Sequence, residues 1–438
     1  MKADRKKLVV VGNGMAGLRT LEAVLRRAPR CYDITVFGAE PQAAYNRVLL
    51  SAVLAGEKAA GDIVSHPPEW YAAHGIALHM GDPVVTVDAA ARTVVSGAGR
   101  RARYDKLVLA TGSRPLAPPI PGLDLTGVSA FRDIKDVGTM IGAAAQSGRA
   151  VVIGGGLLGL EAAWGLQRRG MSVTVVHLMP TLMERQLDAT AGQLLQHDLE
   201  RRGIAFVTNG ETEEIHGCGR AEDVRLADGR ELPADFVVMA IGTSPEIGLA
   251  RQAGLDVNRG IVVDDALRTS DPDIYAVGEC AEHRGRCVGL VAPVWEMAET
   301  CAEHLAGDDA ARFATPVHST QLKITGVDVF SAGALMAEAE SDDEITYLDG
   351  AGGIYKKLVL RDDRIVGAVL YGDIADCAWY LRLMRQAADV ASIRADLIFG
   401  AGVAGPAGDL NNRDGAGARA SRREAGVGPS PALQIAHG

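Results

Sequence analysis

Apolar positions along this chain gather into short, valine-rich runs that end at glycine. Leu8–Val11 is followed by Gly12-Asn13-Gly14 and then by Leu18, Leu21 and Leu25 at helical spacing. The next apolar run is Asp33–Phe37, DITVF, which stops at Gly38-Ala39-Glu40. Strand, turn, helix and strand make one βαβ unit over residues 8–40. The same order returns over residues 150–177. AVVIG leads into a helix from Leu158 to about Arg169, Gly170 stops it, and SVTVVH follows.

Between the two units, Tyr104–Thr111 (YDKLVLAT) reads as a buried strand, and GSRPLAPPIPG as an extended, proline-rich crossing. Asp235–Ile241 (DFVVMAI) and the GTSP that follows echo that pair of features. DIYAVGEC, at 273–280, is a further strand ending at Gly278-Glu279. From about residue 311 the pattern changes. KLVL and RIVGAVLYG flank Asp362-Asp363 and predict a β-hairpin, and Trp379, Leu383 and Met384 mark one side of a helix. Residues 401–438 hold no aromatic residue and are expected to be disordered.

The fold class that follows is α/β, with two Rossmann-like dinucleotide-binding domains plus a small C-terminal α+β domain. The first domain takes residues 1–115 and 241–310, and the second takes 116–240. The α+β domain takes 311–400, and the tail 401–438.

Composition narrows the function. Apolar residues make up 47% and charged residues 23% of 438, as in ordinary globular proteins. Lys and Arg number 45 against 55 Asp and Glu, a net charge of -10 with no long basic run, which argues against a nucleic-acid partner. MKADRKK leads straight into a short strand, and no segment has the length of a membrane span, so a cytoplasmic location is expected. The cysteines at 31, 218, 280, 287, 301 and 377 form no C-x-x-C pair, zinc spacing or iron–sulfur run. They predict reduced thiols and no metal centre.

The glycines carry the chemistry. Gly12, Gly14 and Gly17 fit G-x-G-x-x-G. The first permits the turn, the second lets a pyrophosphate approach the backbone, and the third lets helix and strand pack closely. Met15 and Ala16 open the helix whose N–H groups face the phosphates. Glu40 stands at the end of the second strand, roughly 20 residues on, where a carboxylate accepts hydrogen bonds from a ribose diol. Gly154, Gly156 and Gly159, with Leu157 and Leu158, repeat the loop. Here the strand ends VVHLMP, so His177 replaces the carboxylate, as a partly exposed polar residue or as a ribose contact. No arginine follows directly to hold a 2′-phosphate, which leans toward NADH over NADPH. The strand-end turns Ala110-Thr111-Gly112 and Gly242 belong to the same nucleotide sites. Two such sites in one chain predict FAD and NAD(P)H, brought to about 3–3.5 Å between reacting atoms.

The run GNGMAG…AYNRVLLSAVLAGE…ATGSRP…GGGLLGLEAA…AIGTSP…DIYAVGEC resembles the flavin-dependent pyridine-nucleotide oxidoreductases with two dinucleotide domains. YDITVFGAEPQAAYNRVLLSAVLAGEK, VVHLMPTLMERQLD and YAVGECAEHRG are similar, more narrowly, to the N-terminal reductase part of the NAD(P)H-dependent assimilatory nitrite reductase large subunit. The resemblance runs from about residue 7 to about 400. It implies that Gly12, Gly14, Gly17 and Glu40 hold the ADP half of FAD, and that Asn46, Arg47 and Ser51 lie beside the flavin ring. Gly278 and Glu279 would reach the ribityl–pyrophosphate, with a plain surface turn as the alternative. Glu161 would sit near the nicotinamide, or be an exposed helix residue; it and Arg47 are the candidate catalytic residues. The segment LVAPVW, including Val294, would cover the flavin or simply pack a helix entry.

Departures from the family matter as well. Residues 40–55 hold no cysteine, which excludes a flavin–disulfide relay, and nothing here matches the iron–sulfur and siroheme segments of nitrite reductases. The reading is therefore a reductase module that passes electrons to a separate redox protein, a nitrite or nitrate reductase or a ferredoxin-like carrier. Alternatives are a rubredoxin or ferredoxin reductase of another pathway, a peroxide-handling enzyme using Cys280 and Cys287, or a low-turnover nucleotide-binding redox sensor. The C-terminal domain is open to two uses, a homodimer contact or an acceptor dock.

Overall fold

Strand β1 (Lys6–Val11) exposes its two lysines and is buried from Leu8 onward, so it sinks into the core as it runs toward Gly12. The computed structural model describes residues 5–146, 148–314, 319–322, 324 and 326–404. After β1 come helix α1 (Met15–Arg27), strand β2 (Tyr32–Phe37), the short helix α2 (Leu50–Ala55), and strands β3 (Ala77–His79) and β4 (Lys106–Leu109). The second unit holds β5 (Val128–Ala130), β6 (Arg149–Ile153), helix α3 (Leu157–Arg168), β7 (Ser172–His177), helix α4 (Ala189–Arg201), β8 (Ile204–Thr208) and β9 (Phe236–Met239). The chain then returns with β10 (Ile274–Ala276) and helix α5 (Val291–Leu305).

Two parallel sheets result, in the orders β10-β4-β1-β2-β3 and β8-β7-β6-β9-β5. In each, the glycine loop leaves a central strand, β1 or β6, with the next strand of its unit on one side and a later strand on the other, so the loop opens where the strand order reverses, the place at which Rossmann-like sheets bind ligands. Helix α1 packs on α5 under the first sheet, and Arg27 reaches Glu299 (2.6 Å) and Glu303 (2.7 Å) across that seam. Tyr32 Oη donates to the Leu305 carbonyl at 2.7 Å, which ties β2 to the end of α5.

Two stretches of chain cross between the sheets. Ser113–Pro115 leaves the first unit, Thr243–Pro245 comes back, and the two pair antiparallel with Ser244 opposite Arg114. The expected crossings are thus a ladder, an outcome that neither proline-rich segment alone reveals. A second device joins the units. Arg169, just past α3, donates to the carbonyls of Val53 (3.0 Å) and Leu54 at the end of α2. Gly165 on α3 lies so close to α2 that a Cβ there would meet Leu54 Cγ at 2.5 Å.

The C-terminal unit is an antiparallel sheet of β11 (Ser319–Gln321), β12 (Val329–Gly333), β13 (Asp342–Asp349), β14 (Ile354–Arg361) and β15 (Arg364–Tyr371), in the order β11-β12-β15-β14-β13. Helix α6 (Cys377–Arg385) buries Trp379, Leu383 and Met384. Asp362 and Asp363 form the two-residue turn between β14 and β15, with φ of +47° and +52°. Positive φ at both positions is what a tight hairpin matching strand twist requires. The unit rests on the second unit. Tyr355 Oη donates to Asp188 Oδ2 at 2.6 Å, while Asp188 Oδ1 caps the first turn of α4 by accepting from the Ala191 N–H. Of the segment expected to be disordered, residues 401–404 form a helical turn, with Ala401 N–H donating to Asp376. The remainder of that expectation lies outside the described residues. Among the described residues no helix is long and apolar enough to cross a membrane, and no group of three or more His, Cys, Asp or Glu could hold a metal ion.

Candidate functional site

Both glycine loops have the same geometry. Gly12 has φ of +114°, and a Cβ on it would lie 2.1 Å from the Ala110 carbonyl oxygen. Gly154 has φ of +120°, and its Cβ would lie 2.3 Å from the Ala240 carbonyl oxygen. Gly17 and Gly159 sit one helical turn further, where a Cβ would meet the carbonyl of Gly12 at 2.0 Å and of Gly154 at 1.9 Å. These four glycines are needed for backbone packing. Gly14 and Gly156 differ: a Cβ on either would meet no protein atom within 4 Å. The space beside them is open, as a pyrophosphate requires. Each is also the N-cap of its helix, α1 or α3, and brings no side chain to the first-turn N–H groups. Those donors face the opening with the positive end of the helix dipole.

A cavity of about 350 Å³ opens over the first loop. Gly12, Gly14, Met15, Ala16, Glu40, Arg47, Ala110, Thr111, Gly112, Glu279 and Val294 line it, together with Asn13, Tyr45, Ser113 and Arg132, which sequence reasoning did not single out. Glu40 accepts from Tyr45 Oη at 2.6 Å and pairs with Arg47, whose other amino group donates to the Arg132 carbonyl at 3.0 Å. Burial, more than the Glu40 contact, pushes the Tyr45 phenol up, so it stays a donor. Glu279 accepts from Ser113 Oγ at 2.7 Å and pairs with Arg132. Asn13 Oδ1 accepts from Tyr71 Oη at 2.8 Å, and its Nδ2 is buried with no partner among the described residues. An orphaned donor, an open glycine and a carboxylate at a strand end fit the pyrophosphate and ribose of FAD.

A second cavity of about 580 Å³ opens over the second loop and is lined by Gly154, Gly156, Leu157, Leu158, Gly242, His177 and Glu184. Pro115 and Arg132 line both cavities, which therefore share a wall.

Other candidates stand elsewhere. Ser51 is buried within α2, and Asn46 turns its side chain back to accept from the Val48 N–H at 3.0 Å, capping a helical turn; neither lines either of these two cavities. Gly278, with φ of +84°, comes so near α1 that a Cβ would meet Ala16 Cβ at 2.7 Å. Glu161 is 4% exposed on α3 and lines neither cavity, so it is not the exposed helix residue of the alternative reading. His177 is buried, not partly exposed: its Nδ1 accepts the Gly155 N–H at 3.1 Å. Cys280 is fully buried and burial pushes its thiol up, which removes it as a nucleophile; Cys287 lines neither cavity.

Arg132 and Tyr45 left no local signal, because each meets its partner through the tertiary fold. The one trace was Asp133-x-x-Asp136, a capping box that starts the helix behind Arg132.

Comparison with known proteins agrees with this geometry. Residues 6–303 match the pyridine nucleotide-disulphide oxidoreductase family, and residues 319–388 match the rubredoxin NAD+ reductase C-terminal domain. The chain is 51% identical over 387 residues to the NAD(P)H nitrite reductase of Bacillus subtilis, covering 88% of this chain and 48% of that protein. It is 43% identical over 394 residues to the assimilatory nitrate reductase electron transfer subunit of the same organism, covering 90% and 51%. The chain thus spans about half the length of these relatives. Among solved structures, a covalent putidaredoxin reductase–putidaredoxin complex superposes with a TM-score of 0.82 at 25% identity, covering 92% of this chain and 99% of that one. With both glycine loops, both parallel sheets and the match over residues 6–303 in agreement, the chain belongs to the pyridine nucleotide-disulphide oxidoreductase family.

Proposed function

We propose that this chain is an FAD-dependent NAD(P)H oxidoreductase, with NADH the preferred donor, that passes electrons to a separate redox protein in nitrite or nitrate assimilation. The observation that carries the reading is the shared wall: two cavities built on dinucleotide loops adjoin at Pro115 and Arg132. FAD, when bound, accepts a hydride equivalent and releases its electrons in pairs or singly. The chain's own part is placement. The α1 and α3 N-termini hold the two pyrophosphates, and Glu40 orients the adenosine ribose in the first cavity. Glu279 and Arg132 flank the junction, where a fixed charge tunes a bound ring. The α2–α3 contact at Gly165 sets the distance between the two sites. Gly12, Gly17, Gly154, Gly159 and Gly278 shape the loops, and Glu161, Asn46 and Ser51 act behind them.

The nitrogen-oxyanion role rests on the relatives' names, nitrite reductase and nitrate reductase electron transfer subunit. A second reading, a rubredoxin or ferredoxin reductase, is favoured by the match of residues 319–388. The exposed Tyr347, Leu348 and Phe399 of the C-terminal unit offer apolar surface to the acceptor or to a second copy in a homodimer. The cytoplasm, where NADH is supplied, is the setting that suits either.

The test begins with the purified protein, which should be yellow and lose its 450-nm band on anaerobic addition of NADH. Turnover should then be compared with a siroheme nitrite reductase domain, a nitrate reductase and rubredoxin as acceptors. A colourless protein that takes up no FAD ends the reading. Equal rates with all three acceptors end the nitrogen assignment.

A further inference from the structure

The first loop has Glu40 at the end of its second strand, and the second loop has His177 there. A carboxylate is nevertheless present. Glu184, seven positions on in sequence, pairs with His177 Nε2 at 3.0 Å and lines the second cavity. We propose that Glu184 is the ribose-diol acceptor of this cavity and selects a dinucleotide with an unmodified 2′-hydroxyl over one with a 2′-phosphate. His177 is its positioning residue. The inference rests on the reading that the second cavity takes NAD(P)H.

Three contacts hold Glu184 to the phosphate loop itself. His177 Nδ1 accepts the Gly155 N–H at 3.1 Å, so in that tautomer the ring carries its proton on Nε2 and donates it to Glu184. Met183, immediately before Glu184, donates its N–H to the Gly155 carbonyl at 3.0 Å. Leu182, Met183 and Leu187 are buried, so the segment around Glu184 is packed and not a loose loop. Gly155 permits this closeness, because a Cβ on it would meet His177 Cγ at 2.7 Å and Leu182 Cδ2 at 2.8 Å. The carboxylate is therefore registered to the pyrophosphate loop.

Charge decides the selectivity. A hydroxyl pair donates to a carboxylate, whereas a dianionic phosphate is repelled by one that cannot move away. Glu211 also lines this cavity and adds negative charge. Two cations line the cavity as well: Arg132, which is paired with Glu279, and Arg185, whose side chain is 84% exposed with its Nε 3.9 Å from Glu184 Oε1, so solvent screens its pull on a 2′-phosphate. Leu178 and Met179, both exposed, line the same rim and offer apolar surface to an adenine.

The test uses the FAD-loaded protein and two readouts. Calorimetric titration with NAD+ and NADP+ gives binding without turnover, and anaerobic bleaching of the flavin by NADH and NADPH gives the rates. Wild type should bind NAD+ more tightly than NADP+. Glu184→Gln should lower that preference about tenfold in both readouts, the scale of one charged hydrogen bond. His177→Ala should lower it less, and adding it to Glu184→Gln should change little further, because the two act as a unit. An unchanged preference in Glu184→Gln, with NADH still bleaching the flavin, overturns the role of Glu184. Selective loss of NADP+ binding in Arg185→Ala overturns it too, by giving the 2′-position to the arginine. If neither coenzyme binds wild type, the reading of the second cavity fails first and this inference with it.

Discussion

The guanidinium of Arg132 donates to the carboxylate of Glu279, 147 positions further along the chain. Both side chains are mostly buried, and Ser113 Oγ donates to the same carboxylate oxygen at 2.7 Å. Arg132→Leu would leave Glu279 without its cation, at a stability cost of about 1–3 kcal/mol. FAD should be retained less well, read from the ratio of absorbance at 450 and 280 nm. The double variant Arg132→Leu, Glu279→Leu should recover stability in chemical denaturation but not FAD retention. Full recovery of both would give the pair a structural role only.

The two kinds of loop glycine should separate cleanly. Gly14→Val places its side chain in open space, so the protein should fold as wild type does and lose FAD. Gly17→Ala drives a methyl into the Gly12 carbonyl at 2.0 Å and should destabilise the fold by about 1–3 kcal/mol or more. Denaturation curves and flavin content check both. Folded, yellow protein from Gly14→Val would show that the first opening does not take a pyrophosphate.

Helices α2 and α3 should set rate and not affinity. Gly165→Val pushes Leu54 and so the two cavities apart. Since a misplacement of about 1 Å costs on the order of 10²-fold in a positioned transfer, flavin reduction by saturating NADH should slow at least tenfold. The KM for NADH should stay within about twofold, because no group lining the second cavity has changed. Arg169→Ala, which removes the donors to Val53 and Leu54, should act in the same direction but less.

Thiol reactivity should follow burial. Burial pushes the thiols of Cys280 and Cys301 up, so at pH 8 each carries less thiolate than an ordinary cysteine, and both are enclosed. Cys31 and Cys218 are exposed. Brief alkylation of native protein at pH 8 should label Cys31 and Cys218 and spare Cys280 and Cys301, as read by peptide mass spectrometry. Rapid labelling of Cys280 would reopen a peroxide chemistry for this residue.

Much of the architecture was legible from periodicity and punctuation. SVTVVH is strand β7 residue for residue, the Asp362-Asp363 turn joins its two strands, and Trp379, Leu383 and Met384 face inward together. These are local effects, in which alternating burial, helical spacing and φ are written in neighbouring residues. The site was legible only where it was local. Gly14 and Gly156 stand over their openings, but Asn46 and Ser51, one and four residues from Arg47 in sequence, do not line the cavity. For Asn46 the cause was visible in principle, since an asparagine two residues before an N–H it can cap is a common helix start. Partners brought together by strand order, such as Arg132 with Glu279, leave no such trace. Glu184 was missed for a related reason. The strand-end rule looks for a carboxylate at a fixed spacing, and here the chain folds back before supplying it.

The ladder between Ser113–Pro115 and Thr243–Pro245 means that the second unit enters and leaves through a single doorway. Everything between those two passes is, topologically, a cassette with adjacent ends. Its covalent ends lie side by side, and Arg169, Gly165 and Arg132 supply further contacts with the first unit. A donor cassette with matching ends would carry the coenzyme site across in one step, provided that it keeps an arginine for Glu279, the donors to the end of α2 and the carboxylate that meets Tyr355.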